Sequence, residues 1–352
     1  MSRKRSSGKA GLLVLVLLIA AVAVAFWGWQ RFTGFADAPL AGTGADMSIV
    51  VKPGDSLPVV VRKLADAGVD TGEAIEWRLL AKQLGAAGKL QVGEYALPEG
   101  ITPRVLLEAM RDGKVISHRF TLVEGWNIRE LRAALAKATP LEQETASWDE
   151  AALMKAVGQP GQHPEGRFLP ETYVYTRGDS DLDVLRRAHH AMSKALAAAW
   201  AERRGDTPLK TPDEMLVLAS IVEKETGIAE ERPQIAGLFE RRLKTGMKLQ
   251  TDPTVIYGLG ARYDGNIRKQ DLLTDTPYNT YTRAGLPPTP IAMPGVAALQ
   301  AVAKPASGEH LYFVAVGDGS GRHLFAATYA EHQANVRQYL QNYRKAQSKG
   351  AQ

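Results

Sequence analysis

Residues 10–29 read AGLLVLVLLIAAVAVAFWGW, twenty positions without a charge. A helix of that length covers the roughly 30 Å hydrocarbon core of a bilayer. Arg3, Lys4, Arg5 and Lys9 stand just before it, which keeps the start of the run cytoplasmic and sends everything after it across the membrane. The rest of the chain is thereby limited to an exported mass hung from one anchor. A cleavable signal peptide is the competing reading, because Ala21, Ala23 and Ala25 offer small residues for cleavage. The uncleaved anchor is preferred: the run outlasts a signal core of about 7–15 residues, and it ends in Phe26, Trp27 and Trp29, side chains suited to the membrane interface. The expected location is the cell inner membrane, single-pass, with a cytoplasmic N-terminus and a periplasmic catalytic part.

The 352 residues suffice for that anchor and two domains. A pI of 9.2 suggests nucleic acid until the charges are located. Without the four basic residues ahead of the apolar run, 39 basic residues face 38 acidic ones, so no nucleic-acid partner is implied. The chain has no cysteine, which excludes disulfides, thiol nucleophiles and cysteine-ligated metals.

Residues 30–47, rich in Ala, Gly and Thr, read as a linker. SIVV (48–51) is strand-like. Lys52-Pro53-Gly54-Asp55-Ser56-Leu57 then turns into a helix with Val60, Val61, Leu64 and Ala67 on its apolar face. A second helix spans about 72–84 with Ile75, Trp77, Leu79 and Leu80, GEYAL (93–97) is a strand, and Thr102-Pro103 opens a helix through Met110. The strand, PGDSL turn, helix and GEYAL strand resemble a LysM-like peptidoglycan-binding module; a purely structural α/β subdomain is the alternative.

FTLV (120–123) starts a second region, with Asn127 capping a helix to about Ala138. Residues 148–157 are helical in pattern, and Phe168, Tyr173 and Tyr175 are read as packing residues. The 182–202 stretch is a long alanine-rich helix. Its His189 and His190 point different ways, one to the core and one to the surface. A helix over 233–244 precedes loop-like LQTDPTVIYGLG and a proline-rich loop from 277 to 294. LYFVAV (311–316) and residues 323–326 form a hairpin across GDGSG, and residues 328–343 close the chain as a helix.

Between these lies the helix at about 213–227, entered at Pro212 with Asp213 and Glu214 in its first turn. Met215, Leu218, Ile221 and Val222 share one stripe. Glu225 projects about 30° from the centre of that stripe and Glu223 about 130° away. A carboxylate on an apolar face finds a partner, ends the buried stretch, or has its pKa raised until it can donate a proton near neutrality. An edge residue looking at solvent is the plain alternative.

The other chemistries lack their residues. The seven histidines offer no H-E-x-x-H pairing, so no metal site is expected. G-x-S-x-G, Walker and dinucleotide fingerprints are missing, and GDGSG lacks the helix a phosphate loop needs. A carboxylate mechanism remains.

ASIVEKET (219–226), LQTDPTVIYG (249–258) and YNTYTRAGLPPTPIAMPG (278–295), in that order behind an anchor and ahead of LYFVAV, resemble the endolytic murein transglycosylase (YceG-like) family. The resemblance implies an α+β chain: one N-terminal transmembrane helix, a small LysM-like subdomain over 48–115 and a mixed α+β catalytic domain over 116–345, with tails at 1–9 and 346–352. It implies that Glu225 is the catalytic acid/base in a lytic cleavage of the MurNAc–GlcNAc bond of peptidoglycan glycan strands, forming 1,6-anhydroMurNAc ends without cofactor. Gln250, Thr254, Tyr257, Asn279 and Tyr281 are the suggested substrate contacts, and Glu223, Thr226 and Asp252 supporting residues, with Asp252 a helix cap. LQTDPTVIY then becomes one wall of a glycan groove and the proline-rich loop the other, with Glu225 between them. Peptidoglycan synthases are the partners the resemblance suggests. A lysozyme-like hydrolase and a non-catalytic cell-wall scaffold are the other functions considered.

Overall fold

The computed structural model describes residues 7–350, with side chains from 11 to 346. Arg3, Lys4 and Arg5 of the basic tail lie outside the described residues, and Lys9 is described by its backbone alone. The chain forms two compact units, residues 1–118 with Thr176–Gly178, and residues 119–175 with 179–352.

In the first unit α1 (Ser7–Asp37) is long and apolar enough to cross a membrane, and its side chains from Leu12 to Trp29 are exposed. The helix does not stop at Trp29. The expected linker continues it to Asp37, because Phe32, Phe35 and Ala36 keep an apolar face at helical spacing. That face is built into the unit's core. Ala36 is fully buried, the Phe35 ring meets Trp77 edge-on at 5.5 Å, and Arg31 Nε donates to Glu76 at 3.0 Å.

β1 (Ser48–Val51) pairs antiparallel with β2 (Gly93–Ala96), placing Ile49 opposite Tyr95 in the core. Between the strands lie α2 (Leu57–Asp66) and α3 (Ala74–Gln83). The PGDSL turn is closed by Asp55, which accepts from the Lys52 N–H at 2.7 Å and pairs with Lys63. Val60 and Leu64 are buried as expected, whereas Ala67 caps the helix and is exposed. On α3, Trp77 and Leu80 fill the core while Ile75 and Leu79 face outward at 58% and 51% exposure, because the helix has only one covered side. Thr102 caps α4 (Pro103–Asp112), which Gly113 ends in the left-handed region at φ 68°.

The second unit opens with β3 (Ser117–Thr121), most of whose residues belong to it, followed by α5 (Ile128–Leu135) under an Asn127–Glu130 capping box. α6 (Glu150–Ala156) and β4 (Thr172–Thr176) follow. Phe168, Tyr173 and Tyr175 are core residues. On α7 (Asp181–Ala201) His189 is buried and His190 exposed. Next come α8 (Pro212–Glu225), capped by Thr211, and α9 (Arg232–Lys244). LQTDPTVIYGLG is not a loop. It forms α10 (Asp252–Leu259), since Asp252 and Pro253 are first-turn residues rather than loop residues. α11 (Lys269–Leu273) and α12 (Val296–Ala303) flank the irregular proline-rich segment. β5 (Tyr312–Ala315) and β6 (His323–Ala326) make the expected hairpin, and α13 runs Tyr329–Gly350, beyond the expected end.

α8 is the centre of this unit. Every residue from Met215 to Val222 is buried, with α7, α9 and α12 packed around it. On α9 the segment after α12 comes close instead: a Cβ on Gly237 would fall 2.2 Å from the Ala306 carbonyl oxygen, so only glycine fits.

Candidate active site

Glu225 is the last residue of α8, where the helix emerges from the core. Thr226 takes an extended conformation (φ −146°, ψ 135°) and stops it. The Glu225 residue is partly exposed, but its surroundings desolvate the carboxyl enough to push its pKa up to about 7. The Thr251 hydroxyl, at the N-cap of α10, donates to Glu225 Oε1 and opposes that rise. Asp252 raises the pKa further through its charge, and Arg242 lowers it. Arg242 is itself buried and spends its guanidinium on the Leu311 and Leu249 carbonyls at 2.7 and 2.5 Å.

Asp252 is not the cap of α10; it is the first helical residue, exposed, and accepts from the Tyr281 hydroxyl at 2.5 Å. Burial and the adjacent acid raise the Tyr281 pKa, so its phenol stays protonated. Glu225, Thr251, Asp252, Tyr281 and Arg242 therefore form one constellation. Gln250 stands beside it, exposed and held at φ 50° by its N–H bond to the Thr280 carbonyl at 3.2 Å.

The remaining expected contacts are placed differently. Thr254 is fully buried, with its hydroxyl bonded to the Thr251 carbonyl at 2.8 Å and to the Thr280 hydroxyl at 2.9 Å. Asn279 is fully buried too: Nδ2 donates to the carbonyls of Asp271, Leu272 and Thr274, and Oδ1 accepts from Tyr281 and Thr282. In both, the side-chain polar atoms are taken up by bonds within the protein that hold these segments in shape. The Tyr257 ring packs edge-on to Tyr278 at 4.8 Å, and its hydroxyl lies near buried Glu165, whose pKa burial pushes up to about 7.

The two segments expected to face each other across Glu225 are bonded together. Thr251 N–H donates to the Thr280 hydroxyl at 3.1 Å, and Gln250 and Thr254 reach Thr280 as well. Residues 250–254 and 279–281 make a single surface on one side of Glu225. A cavity of about 280 Å³ within the proline-rich loop shares Asn279 and Thr280 with that surface and is otherwise lined by residues such as Arg283, Leu286 and Pro288; Glu225 is not among its walls.

Glu223, expected as a supporting residue, is covered although the projection puts it far from the apolar stripe. Its side chain is 5% exposed, accepts from the Gly295 N–H at 2.9 Å, and lies 3.7 Å from Arg232. Because α8 is enclosed all round, a position 130° from the expected stripe is also covered. Thr226 is a structural residue: its hydroxyl accepts from the Ile228 N–H at 3.0 Å and contacts Glu231 at 3.4 Å. Glu231, 4% exposed, in turn holds His323 through both the backbone N–H (2.9 Å) and Nδ1 (2.8 Å), tying the β5–β6 hairpin to the exit of α8. Thr251, Arg242, Glu231 and His323 were not among the expected site residues, although Thr251 lies in LQTDPTVIYG, Arg242 in the expected 233–244 helix and His323 at the start of the expected hairpin strand. Among the described residues no group of three His, Cys, Asp or Glu side chains could hold a metal ion.

The pattern for the YceG-like family matches residues 49–338. The chain belongs to the YceG-like family. Its relatives include an endolytic murein transglycosylase of Bacillus subtilis (strain 168), 28% identical over 84% of this chain and 85% of that protein. The endolytic murein transglycosylases of two Streptococcus pneumoniae strains are 30% identical over 50% of this chain, which spans 32% of their length. A crystal structure of a YceG-like protein from Listeria monocytogenes covers 83% of this chain and 99% of its own, with 25% identity and a TM-score of 0.53. ASIVEKET and LQTDPTVIYG both lie inside the matched range.

Proposed function

We propose that this YceG-like chain is an endolytic peptidoglycan lytic transglycosylase with Glu225 as its one general acid/base. The relatives' activity supports the reaction class, and one observation carries the residue: Glu225 ends a buried helix with a pKa of about 7 and one oxygen held by Thr251. Near neutral pH such a carboxyl is available in both protonation states. As an acid it donates to the glycosidic oxygen between MurNAc and GlcNAc while positive charge develops at C1. As a carboxylate it takes the proton from the muramic acid C6 hydroxyl, whose oxygen attacks C1 and closes the 1,6-anhydro ring. The nucleophile belongs to the substrate, so Asp252 serves by its charge and by orienting Tyr281, and a second catalytic carboxylate is not required.

Exposed Asp252 and partly exposed Tyr281 of the constellation, with exposed Gln250 beside it, are the groups assigned to the glycan. α1 anchors the chain in the inner membrane with the catalytic region of 116–345 in the periplasm, where nascent strands are made and peptidoglycan synthases would be at hand. Residues 48–115 are assigned a LysM-like role in holding glycan, supported by the β1–α2–α3–β2 order and antiparallel closure.

Purified chain incubated with peptidoglycan should release fragments ending in 1,6-anhydroMurNAc, read by mass spectrometry. Reducing MurNAc ends would mean a hydrolase instead. Binding without any product would mean a scaffold.

A further inference from the structure

α3 carries an exposed face with a mixed character. Ile75 and Leu79, one turn apart, are among the most exposed large apolar side chains of the first unit outside α1. Arg78 and Lys82, also exposed, fall within about 100° of them around the helix. The opposite side of α3 is the core side, with Trp77, Leu80 and Ala81 buried. A helix with apolar and basic residues together on its outer face has the make-up of one lying in a membrane interface.

What covers this face follows from where α3 is seated on α1. Its contacts are Glu76 with Arg31 at 3.0 Å and Trp77 with Phe35 at 5.5 Å. Arg31 is two residues, about 3 Å of helix rise, past Trp29, where the apolar run ends with its aromatic pair. The deeper core is met farther along, through Ala36 and Leu40, while exposed Asp37 is bonded by Arg104 of α4 at 2.6 Å. α3 therefore sits at the membrane end of the unit, on a helix that is continuous with the span, and its outer face points away from the core.

We propose that this outer face of α3 docks on the bilayer surface, Ile75 and Leu79 entering the headgroup–acyl boundary while Arg78 and Lys82 meet anionic phospholipid headgroups. The proposal rests on reading α1 as a membrane span.

The absence of native cysteine makes the test direct. The full chain carrying Leu79→Cys is labelled with an environment-sensitive fluorophore and reconstituted in nanodiscs of phosphatidylethanolamine and phosphatidylglycerol. A reference variant, Val92→Cys, places the label at a site of similar exposure, 54%, on the approach to β2 rather than on an element seated against α1. The expected result is blue-shifted emission at position 79, quenched by headgroup-nitroxide lipid, with little of either at position 92. Replacing Arg78 and Lys82 by Glu should weaken the quenching in phosphatidylglycerol discs. A position-79 label as water-exposed as the reference overturns the proposal, as does self-quenching between chains that tracks protein concentration, which would mean a second copy covers the face. Alkaline extraction of membranes separates the two readings. A chain that washes out overturns the anchor and the docking together, whereas a retained chain with a water-exposed label overturns the docking alone.

Discussion

The Thr251 hydroxyl, presented at the start of α10, donates to the carboxyl of Glu225 at the end of α8, so two helix termini meet at one acid. That bond favours the ionised form, while burial and the Asp252 charge favour the protonated one. The balance leaves the group near pKa 7, and removing either neighbour should move it in opposite directions. Thr251→Val should shift the alkaline limb of the kcat/KM profile to higher pH, and Asp252→Asn to lower pH. Profiles on a defined glycan substrate check both, and shifts of the same sign would contradict this electrostatic account.

Loss of the acid itself is the plainer test. Glu225→Gln should reduce anhydro-product formation by about 10²–10⁴-fold, the range a positioned acid/base contributes. The amide can still accept from Thr251, so circular dichroism and melting should remain native-like.

Stability should depend on pH through the same burial. Glu225 and Glu165 both have folded pKa values raised from 4.5 to about 7. Between those two pH values the folded state holds more protons than the unfolded, so stability is greatest below about 4.5 as far as these groups are concerned and falls as pH rises toward 7. Denaturant titrations across this range should show the decline, and Glu165→Gln and Glu225→Gln should each flatten it.

Much of the frame was legible because its signals are local. Thr102-Pro103, the Asn127 capping box and the GDGSG hairpin each act within a few residues, and each appears where its pattern said. The site was only half legible. Glu225 could be read from α8, but Thr251 lies 26 residues on, and the Glu231–His323 contact spans 92. Such pairs are made by tertiary packing and leave no spacing to detect. The covering of Glu223 could not be read from the projection, which assumes one wet side, whereas Met215–Val222 of α8 are buried all round. The start of α10 was legible to within one residue in Asp252-Pro253, but the rest of the stretch read as loop-like because that pair marks a turn as readily as a helix start.

Glu223 should behave as a brace. Glu223→Ala leaves the Gly295 N–H without its acceptor and Arg232 without that carboxylate, a loss of about 1–3 kcal/mol. Glu223→Gln keeps an acceptor for Gly295 and should recover most of it. Denaturant midpoints of the two variants check this, and equal losses would argue against the hydrogen bond.

The passage of α1 from an apolar run straight into the first core, through Phe35 and Ala36, leaves no swivel between span and unit. A transmembrane helix adjusts to bilayer thickness by tilting. With α1 read as a membrane span, as proposed above, the first unit leans with it, and lipid composition becomes a mechanical input that sets the angle at which residues 48–115 stand over the bilayer.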